Sequence, residues 1–416
     1  MMKRIIVIGG GVIGLCSAYY LHKHGHEVEI IDKSNMDEGA SYVNAGYLSP
    51  SHIIPLSAPG VMRKGLRWML NSSSPLYIKP RLDMDLLKWG LAFNSSCNPR
   101  HVKRSIPVIR DISVLSQELF DELKKQQEFT FHYDKKGLMM LCRTQKGMEE
   151  ELKVADLATK ADLEVSVLNA EEFREIEPKA NIDSIGAILY KCDFHTTPHE
   201  FMSDMKSYLT KARVRIHPNE MVKDFQISAK TIKAVYTDKA SYEADEVVLA
   251  AGSWSGLIAR KLGKHLLMQA GKGYRINTTT DYGISIPAIL SERKIAITPM
   301  NGFTRVAGTM EIAGINNRIN KVRVDAIANG ARLYYPDMNL TAQEKKDAAC
   351  GLRPVTPDGL PYIGRSETCK NLTFAAGHAM MGWSMATATG KLVQEVIDDK
   401  KPSVKMELFN PDRRFR

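Results

Sequence analysis

A chain of 416 residues is longer than one compact core usually organises, so two domains are expected; 44% hydrophobic and 25% charged residues exclude collagen-like or extensively disordered architecture. The surplus of 57 Lys+Arg over 47 Asp+Glu, a formal charge of +10, permits anionic ligands or lipid, while sparse aromatics and the lack of zinc-finger spacing, RNP-like motifs or long basic runs argue against nucleic acid. Six scattered cysteines without a CxxC pair exclude a disulfide-stapled scaffold, so a reducing, cytoplasmic setting and no metal centre are expected.

The N-terminal residues Lys3 and Arg4 precede an uncharged run to Leu21, superficially like a signal peptide. Gly9, Gly10, Gly11 and Gly14 interrupt that run and no A-x-A site follows. The segment instead reads as strand 5–8, a glycine turn, a helix to about His24, a stop at Gly25 and strand 28–31. Amphipathic stretches follow at 62–70 and 82–93, with a helix expected over 105–127. In the first of these, Arg63, Lys64 and Arg67 alternate with Val61, Met62, Leu66, Trp68, Met69 and Leu70, which suits either a solvated helix or a surface lying on anionic lipid. No run approaches the ~20 apolar residues of a membrane helix.

Further along, 137–142 resembles a strand, 148–161 and 198–211 helices, and 214–217 and 246–250 strands, with short alternating segments over 227–237. Between Gly271 and Gly314 the pieces 274–277, 295–300 and 304–308 suggest an antiparallel sheet with turns. A closing helix is expected over 385–398. The expected class is α/β, α+β overall: a Rossmann-like nucleotide domain with a second, antiparallel-sheet substrate domain. The expected division assigns 1–58, 150–262 and 346–416 to the first, and 59–149 and 263–345 to the second, which carries a helical insertion.

Gly9-Gly10-Gly11-Val12-Ile13-Gly14 fits G-x-G-x-x-G between a strand and a helix, where bare backbone and the positive helix end meet a pyrophosphate. A glycine cluster alone makes only a tight turn. Here the second strand ends at Asp32, 18 residues beyond Gly14 and close to the spacing of a ribose-binding carboxylate, with Lys33 beside it. NAD and FAD share this fingerprint.

Four further segments resemble the FAD-dependent oxidoreductases that include D-amino acid dehydrogenases and glycine and sarcosine oxidases. Ser41-Tyr42-Val43-Asn44-Ala45-Gly46 is similar to the segment that wraps the FAD pyrophosphate and flavin in that family. The run 247–255, containing Ala251, Gly252 and Trp254, resembles the strand that returns to the nucleotide domain. The most specific match is 351–364, GLRPVTPDGLPYIG; the last is 377–386, GHAMMGWSMA. They occur in the family's order over residues 5 to about 397. Asp32 departs from the family's commoner glutamate, and its shorter reach implies a changed ribose contact.

The resemblance implies non-covalent FAD and oxidation of a small amino acid at the carbon bearing nitrogen, with a D-amino acid or a cyclic imino acid such as D-proline or cis-4-hydroxy-D-proline foremost. Such chemistry requires a carboxylate clamp, a pose over the flavin and stabilisation of the charge formed on reduction. Arg353 is the expected clamp, the alternative being a structural salt bridge beside its proline-rich turn. Gly377, His378, Met381, Gly382, Trp383 and Ser384 precede the final helix, whose positive end suits the reduced cofactor. His378 tunes the amine proton or merely bonds within its turn, and Trp383 suits packing as well as cofactor contact. Tyr274, in Lys272-Gly273-Tyr274, is a candidate to touch the carboxylate or cover the flavin, or is simply half-buried. Arg305 is a second carboxylate contact or a partner of Glu311, His52 a pocket or loop histidine, and Val222 a backbone contact to adenine.

Electrons are expected to pass to a quinone or another acceptor besides oxygen, with peripheral contact at the inner membrane face an option. A glycine/sarcosine-type oxidase and a non-catalytic flavoprotein subunit of an electron-transfer complex are the rivals. A plain NAD-dependent dehydrogenase leaves the segments at 41–46 and 353–364 without a role.

Overall fold

The computed structural model describes residues 1–61 and 74–415. The basic amphipathic stretch around Arg63, Lys64 and Arg67 therefore lies outside the described residues.

The N-terminal β-turn-α-β unit forms as expected. Strand Arg4–Ile8 and strand Glu27–Ile31 pair in parallel, joined by helix Val12–Lys23, and Gly25 at φ +84° turns the chain back. They seed a six-stranded sheet ordered Arg215–His217, Glu27–Ile31, Arg4–Ile8, Glu246–Leu249, Leu372–Ala376, Tyr362–Arg365. All neighbouring pairs are parallel except the last, a hairpin-like return. Glu246–Leu249 is buried at every position, as a central parallel strand covered on both faces must be. Helix Ala386–Ile397 lies against Val12–Lys23 so closely that a Cβ on Gly390 would stand 2.5 Å from the Cys16 carbonyl carbon. That approach gathers Leu15, Trp383, Leu392 and Val393 into one buried core with Phe120 and Phe201 from neighbouring helices.

The second sheet has nine strands and is largely antiparallel. Its main path runs Ala349–Val355, Gln269–Thr278, Phe303–Ile312, Ile295–Met300, Ala288–Leu290, Leu138–Cys142, Gly186–Tyr190, Val165–Asn169, and Leu76–Ile78 joins it beside Phe303–Ile312. Tyr274, Ile276, Ile297 and Val306 pack under it with helix Lys321–Tyr334.

Three features depart from the sequence reading. Strands Gly186–Tyr190 and Val165–Asn169 were expected with the nucleotide unit because they fall within 150–262, yet they pair with Leu138–Cys142 and with each other in the second sheet. Likewise Ala349–Val355, expected with the C-terminal part of the nucleotide unit, pairs with Gln269–Thr278. Apolar runs that pair over long sequence distances carry no local mark of which sheet they join. The helix expected from Ser105 begins earlier, spanning Pro99–Lys124, because Asn98 accepts from the His101 N–H and Pro99 occupies the first turn, where its missing N–H costs nothing.

Candidate active site

One cavity of about 1300 Å³ runs from the glycine turn to the edge of the second sheet. Pockets for drug-sized ligands span roughly 300–1,000 Å³, so this larger space suits a dinucleotide together with a substrate.

At the nucleotide end, close approach explains the glycines. A Cβ on Gly14 would lie 1.8 Å from the Gly9 oxygen, and one on Gly9, itself at φ +108°, 2.5 Å from the Ala250 oxygen. Gly11 is more open, with Ser41 Oγ at 3.3 Å. The Asp32 carboxylate is held over the turn: Oδ2 accepts from the Gly10 N–H at 2.6 Å and Oδ1 from the Ser34 N–H at 2.8 Å. Ser41 Oγ accepts from the Val12 N–H at 3.0 Å, so a hydroxyl covers one of the donors at the helix start. Lys33 Nζ stands 3.4 Å from the centre of the Trp254 ring, and burial lowers its pKa. Lys33, Trp254, Ala251, Gly252 and Val222 all line this end.

The middle of the cavity is bounded by a segment fastened from several sides. Asn44 Oδ1 accepts from the Gly46 N–H at 2.8 Å, closing a local turn, and Gly46 adopts φ +81° with the Thr196 oxygen 2.1 Å from where a Cβ would sit. Arg305 Nη1 donates to the Asn44 and Tyr42 carbonyls and its Nε to Asn277 Oδ1 at 3.1 Å. Thr298 Oγ1 donates to the Ala45 carbonyl at 2.9 Å. From the other side Ser384 Oγ donates to the Tyr47 carbonyl, and Trp383 Nε1 donates to Thr196 Oγ1 at 2.9 Å. Arg305 is therefore neither a second carboxylate contact nor a partner of Glu311. It is a buried brace outside the cavity, its pKa lowered by burial to about 9.

At the substrate end, Arg353 Nη1 donates to the Thr309 carbonyl at 2.9 Å. No carboxylate pairs with Arg353 among the described residues, so the structural salt bridge is not formed. Burial brings its pKa to about 10, which leaves the guanidinium charged at neutral pH. Its placement depends on Gly273 in the adjoining strand, where a Cβ would stand 2.0 Å from Nη1. Thr309 is a residue that sequence reasoning missed. It is β-branched yet held at φ +61°, its Oγ1 is buried without a hydrogen-bond partner, and it lines the cavity. Such strain concentrates at functional sites. A Gly308-Thr309 step inside a regular strand pattern was the only signal in the sequence.

Tyr274 lines the cavity, but its hydroxyl donates to Glu311 Oε2 at 2.6 Å, so it has no proton left to give a substrate carboxylate. Burial and the nearby carboxylate raise its pKa. Lys272 Nζ lies 3.6 Å from the other Glu311 oxygen. His378 is buried, with Nε2 at 3.0 Å from Thr389 Oγ1. Thr389 gives its own proton to the Met385 carbonyl, so Nε2 is the donor, and burial lowers the ring's pKa to about 3. The ring is neutral at physiological pH and faces the cavity. The Ala379 N–H donates to the Pro354 carbonyl at 2.9 Å, tying the His378 turn to the strand of Arg353.

His52 lines a branch of the same cavity, with Nδ1 3.2 Å from Ser51 Oγ and a pKa lowered by burial to about 4. Behind it Ser51 Oγ donates to the buried Asp193 at 2.6 Å, and burial raises that carboxyl to about 7. Of the expected residues, Gly14, Gly46, Gly377 and Arg305 stand behind the wall; the others reach it.

The family model for FAD-dependent oxidoreductases (DAO) matches residues 4–396. The chain belongs to this family. It is an FAD-dependent oxidoreductase, and the bare glycine turn and the size of the cavity fit the cofactor. A D-amino acid dehydrogenase of Helicobacter pylori (strain J99) is 31% identical over 403 residues, covering 96% of each chain. Among solved structures, glycine oxidase from Geobacillus kaustophilus superposes with a TM-score of 0.80 at 21% identity over 100% of each chain. L-proline dehydrogenase from P. horikoshii gives 0.76 at 20%, covering 99% of this chain and 97% of its own. At these identities the two structures establish the shared fold.

Proposed function

We propose that this chain dehydrogenates a D-amino acid, or a cyclic D-imino acid such as D-proline or cis-4-hydroxy-D-proline, at the carbon bearing nitrogen. The observation that carries this reading is the cationic Arg353, facing the cavity with a carbonyl as its neighbour and no carboxylate to neutralise it. The name of the Helicobacter relative supports the D configuration.

In this reading Gly9, Gly11, Val12, Ile13, Asp32, Lys33, Ser41, Asn44, Ala45, Val222, Ala251, Gly252 and Trp254 hold FAD without a covalent bond, and Gly14 and Gly46 shape the turns behind them. Met381, Gly382, Trp383 and Ser384 bound the flavin side. Bound FAD supplies the two-electron acceptor for the substrate's α-hydrogen. Arg353 clamps the substrate carboxylate through the N–H groups not engaged by Thr309, which fixes the α-carbon in one orientation. Neutral His378 adds no competing charge and leaves the substrate amine free to enter uncharged. The Tyr274 ring forms part of the wall, its hydroxyl tied to Glu311. His52 borders the branch through which a substrate side chain extends.

The nucleotide unit is built around the six-stranded sheet and the substrate unit around the nine-stranded one. Electrons pass onward to a quinone or another acceptor besides oxygen, in the cytoplasm or at the inner membrane face; none of the described helices is long and apolar enough to cross a membrane.

The test is anaerobic addition of D-amino acids, D-proline, cis-4-hydroxy-D-proline, sarcosine, glycine and L-amino acids to the purified flavoprotein, following flavin absorbance. Bleaching by D compounds alone is expected. Bleaching only by sarcosine or glycine would replace this reading with an amine oxidase, and no bleaching by any substrate would indicate an electron-transfer subunit.

A further inference from the structure

Away from the large cavity, two short paired strands bring together three side chains of metal-ligand type. Alternation along an extended segment puts His132 and Asp134 on one face. The antiparallel register of Tyr133–Asp134 with Phe194–Thr196 sets Asp134 opposite His195. One ring nitrogen from each histidine and one Asp134 oxygen all lie within 4.8 Å of one another.

A second observation points to a ligand. His195 is 1% exposed, and among the described residues neither ring nitrogen has a hydrogen-bond partner of ordinary geometry; the Pro299 carbonyl is a weak acceptor for one nitrogen at most, which leaves the other without a partner. Buried polar groups are nearly always satisfied, by protein or by ordered solvent, so a buried ring nitrogen without a protein partner, facing a second histidine and a carboxylate, points to an occupant between them. His132 is already oriented, with Nδ1 3.1 Å from Thr197 Oγ1, which leaves Nε2 available. Metal-binding histidines are commonly fixed this way through their second nitrogen.

We propose that His132, Asp134 and His195 bind a divalent transition-metal ion, with water completing the coordination. Two imidazoles and one carboxylate favour zinc, cobalt, nickel or copper over magnesium and calcium, which prefer oxygen. Three protein ligands leave a position for solvent. The competitor is Lys136, whose Nζ lies 3.0 Å from Asp134 Oδ2. Half-exposed pairs of this kind are weak, so an ion can displace it.

The position gives the ion a structural consequence. Thr196, next to His195, donates to the Gly46 carbonyl and accepts from Trp383 Nε1, and both of those lie in segments assigned to the cofactor. An ion linking the two strands braces that contact from behind.

The experiment uses tag-free, FAD-loaded enzyme freed of metal by chelation and dialysis, titrated with Co²⁺ and with Zn²⁺. Calorimetry and the visible absorbance of Co²⁺ report binding. One equivalent at micromolar affinity or tighter is expected, weakened about 100-fold in Asp134→Asn and in His132→Asn. Lys136→Met is expected to tighten binding several-fold, and this exposed position leaves the fold intact. An intact flavin spectrum confirms folding of each variant. Absence of stoichiometric binding overturns the site, as does binding unchanged by Asp134→Asn and His132→Asn. Weakened binding in Lys136→Met overturns Asp134 as a ligand independently, because removing a competing cation leaves its carboxylate more available to the ion.

Discussion

The two ends of the cavity are built on opposite principles. The nucleotide end consists largely of backbone: glycines without room for a Cβ, a carboxylate bonded to the Gly10 and Ser34 N–H groups, and a serine over the helix start. The substrate end carries unrelieved features: a half-buried guanidinium with no carboxylate among the described residues, and a threonine at positive φ with an orphaned hydroxyl; behind it a buried carboxyl, held by Ser51, is raised to about 7. Recognition of a constant cofactor is met by a satisfied cradle. On the proposed reading, a charged substrate is the partner that the guanidinium and the hydroxyl lack.

If that contrast is right, the largest loss follows from removing the unpaired charge. Arg353→Met is expected to lower kcat/KM for amino-acid substrates about 10³-fold, on the order of 4 kcal/mol, with FAD content unchanged. Steady-state kinetics beside a flavin-to-protein ratio checks both parts. A parallel loss of FAD would place Arg353 at the cofactor and dissolve the distinction. Gly273→Ala tests the same point indirectly, since its methyl would enter the space of the guanidinium, and KM should rise while FAD stays bound.

The second effect lies in pH. Asp193 is buried and its carboxyl is raised from the ordinary range to about 7, so the folded chain holds a proton that the unfolded chain releases near pH 4. Its contribution to stability therefore falls as pH rises from about 4 to about 7 and is level outside that window. Three pKa units correspond to about 4 kcal/mol at most. Asp193→Asn lacks this titration, so the stability of wild type relative to the variant should decline across the window. Urea denaturation at pH 4.5 and pH 8 measures it; a constant difference would mean that Asp193 is ionised throughout.

Within the nucleotide end, spacing alone makes a graded prediction. Gly14→Ala forces a methyl into the Gly9 carbonyl and should lower both fold stability and FAD content, whereas Gly11→Ala meets only a serine oxygen within the protein and should lower FAD content alone, its methyl entering the space of the pyrophosphate. Equal stability of the two FAD-free variants would show that the turn relaxes freely.

This difference also explains what the sequence disclosed. The glycine turn and Asp32 are local patterns, and the strands and helix around them appeared where periodicity put them, whereas the segment from Ser41 to Gly46 was read from resemblance alone. The motif singled out Arg353, and the residue lines the cavity. Thr309, the engagement of Tyr274 by Glu311 and the bracing role of Arg305 depend on register between strands far apart in the chain, and a bulge opposite Lys272 and Tyr274 shifts that register in a way no local pattern records. The pairing of Gly186–Tyr190 with Leu138–Cys142 was hidden for the same reason.

The smallest effect is expected at Thr309, and it separates strain from function. A β-branched residue in the left-handed region costs roughly 1–2 kcal/mol, which glycine relieves, while glycine's extra freedom in the unfolded chain costs about as much. Thr309→Gly should therefore change stability by less than about 1 kcal/mol, although the same substitution elsewhere in a buried strand destabilises. Its KM should nonetheless rise about fivefold, because the carbonyl that anchors Arg353 loses its fixed orientation and the free hydroxyl is gone. Thr309→Ala, which keeps a Cβ but removes the hydroxyl, isolates the second cause. If Thr309→Gly leaves KM at the wild-type value, the strain at this position serves packing alone, and Arg353 is oriented by the space above Gly273.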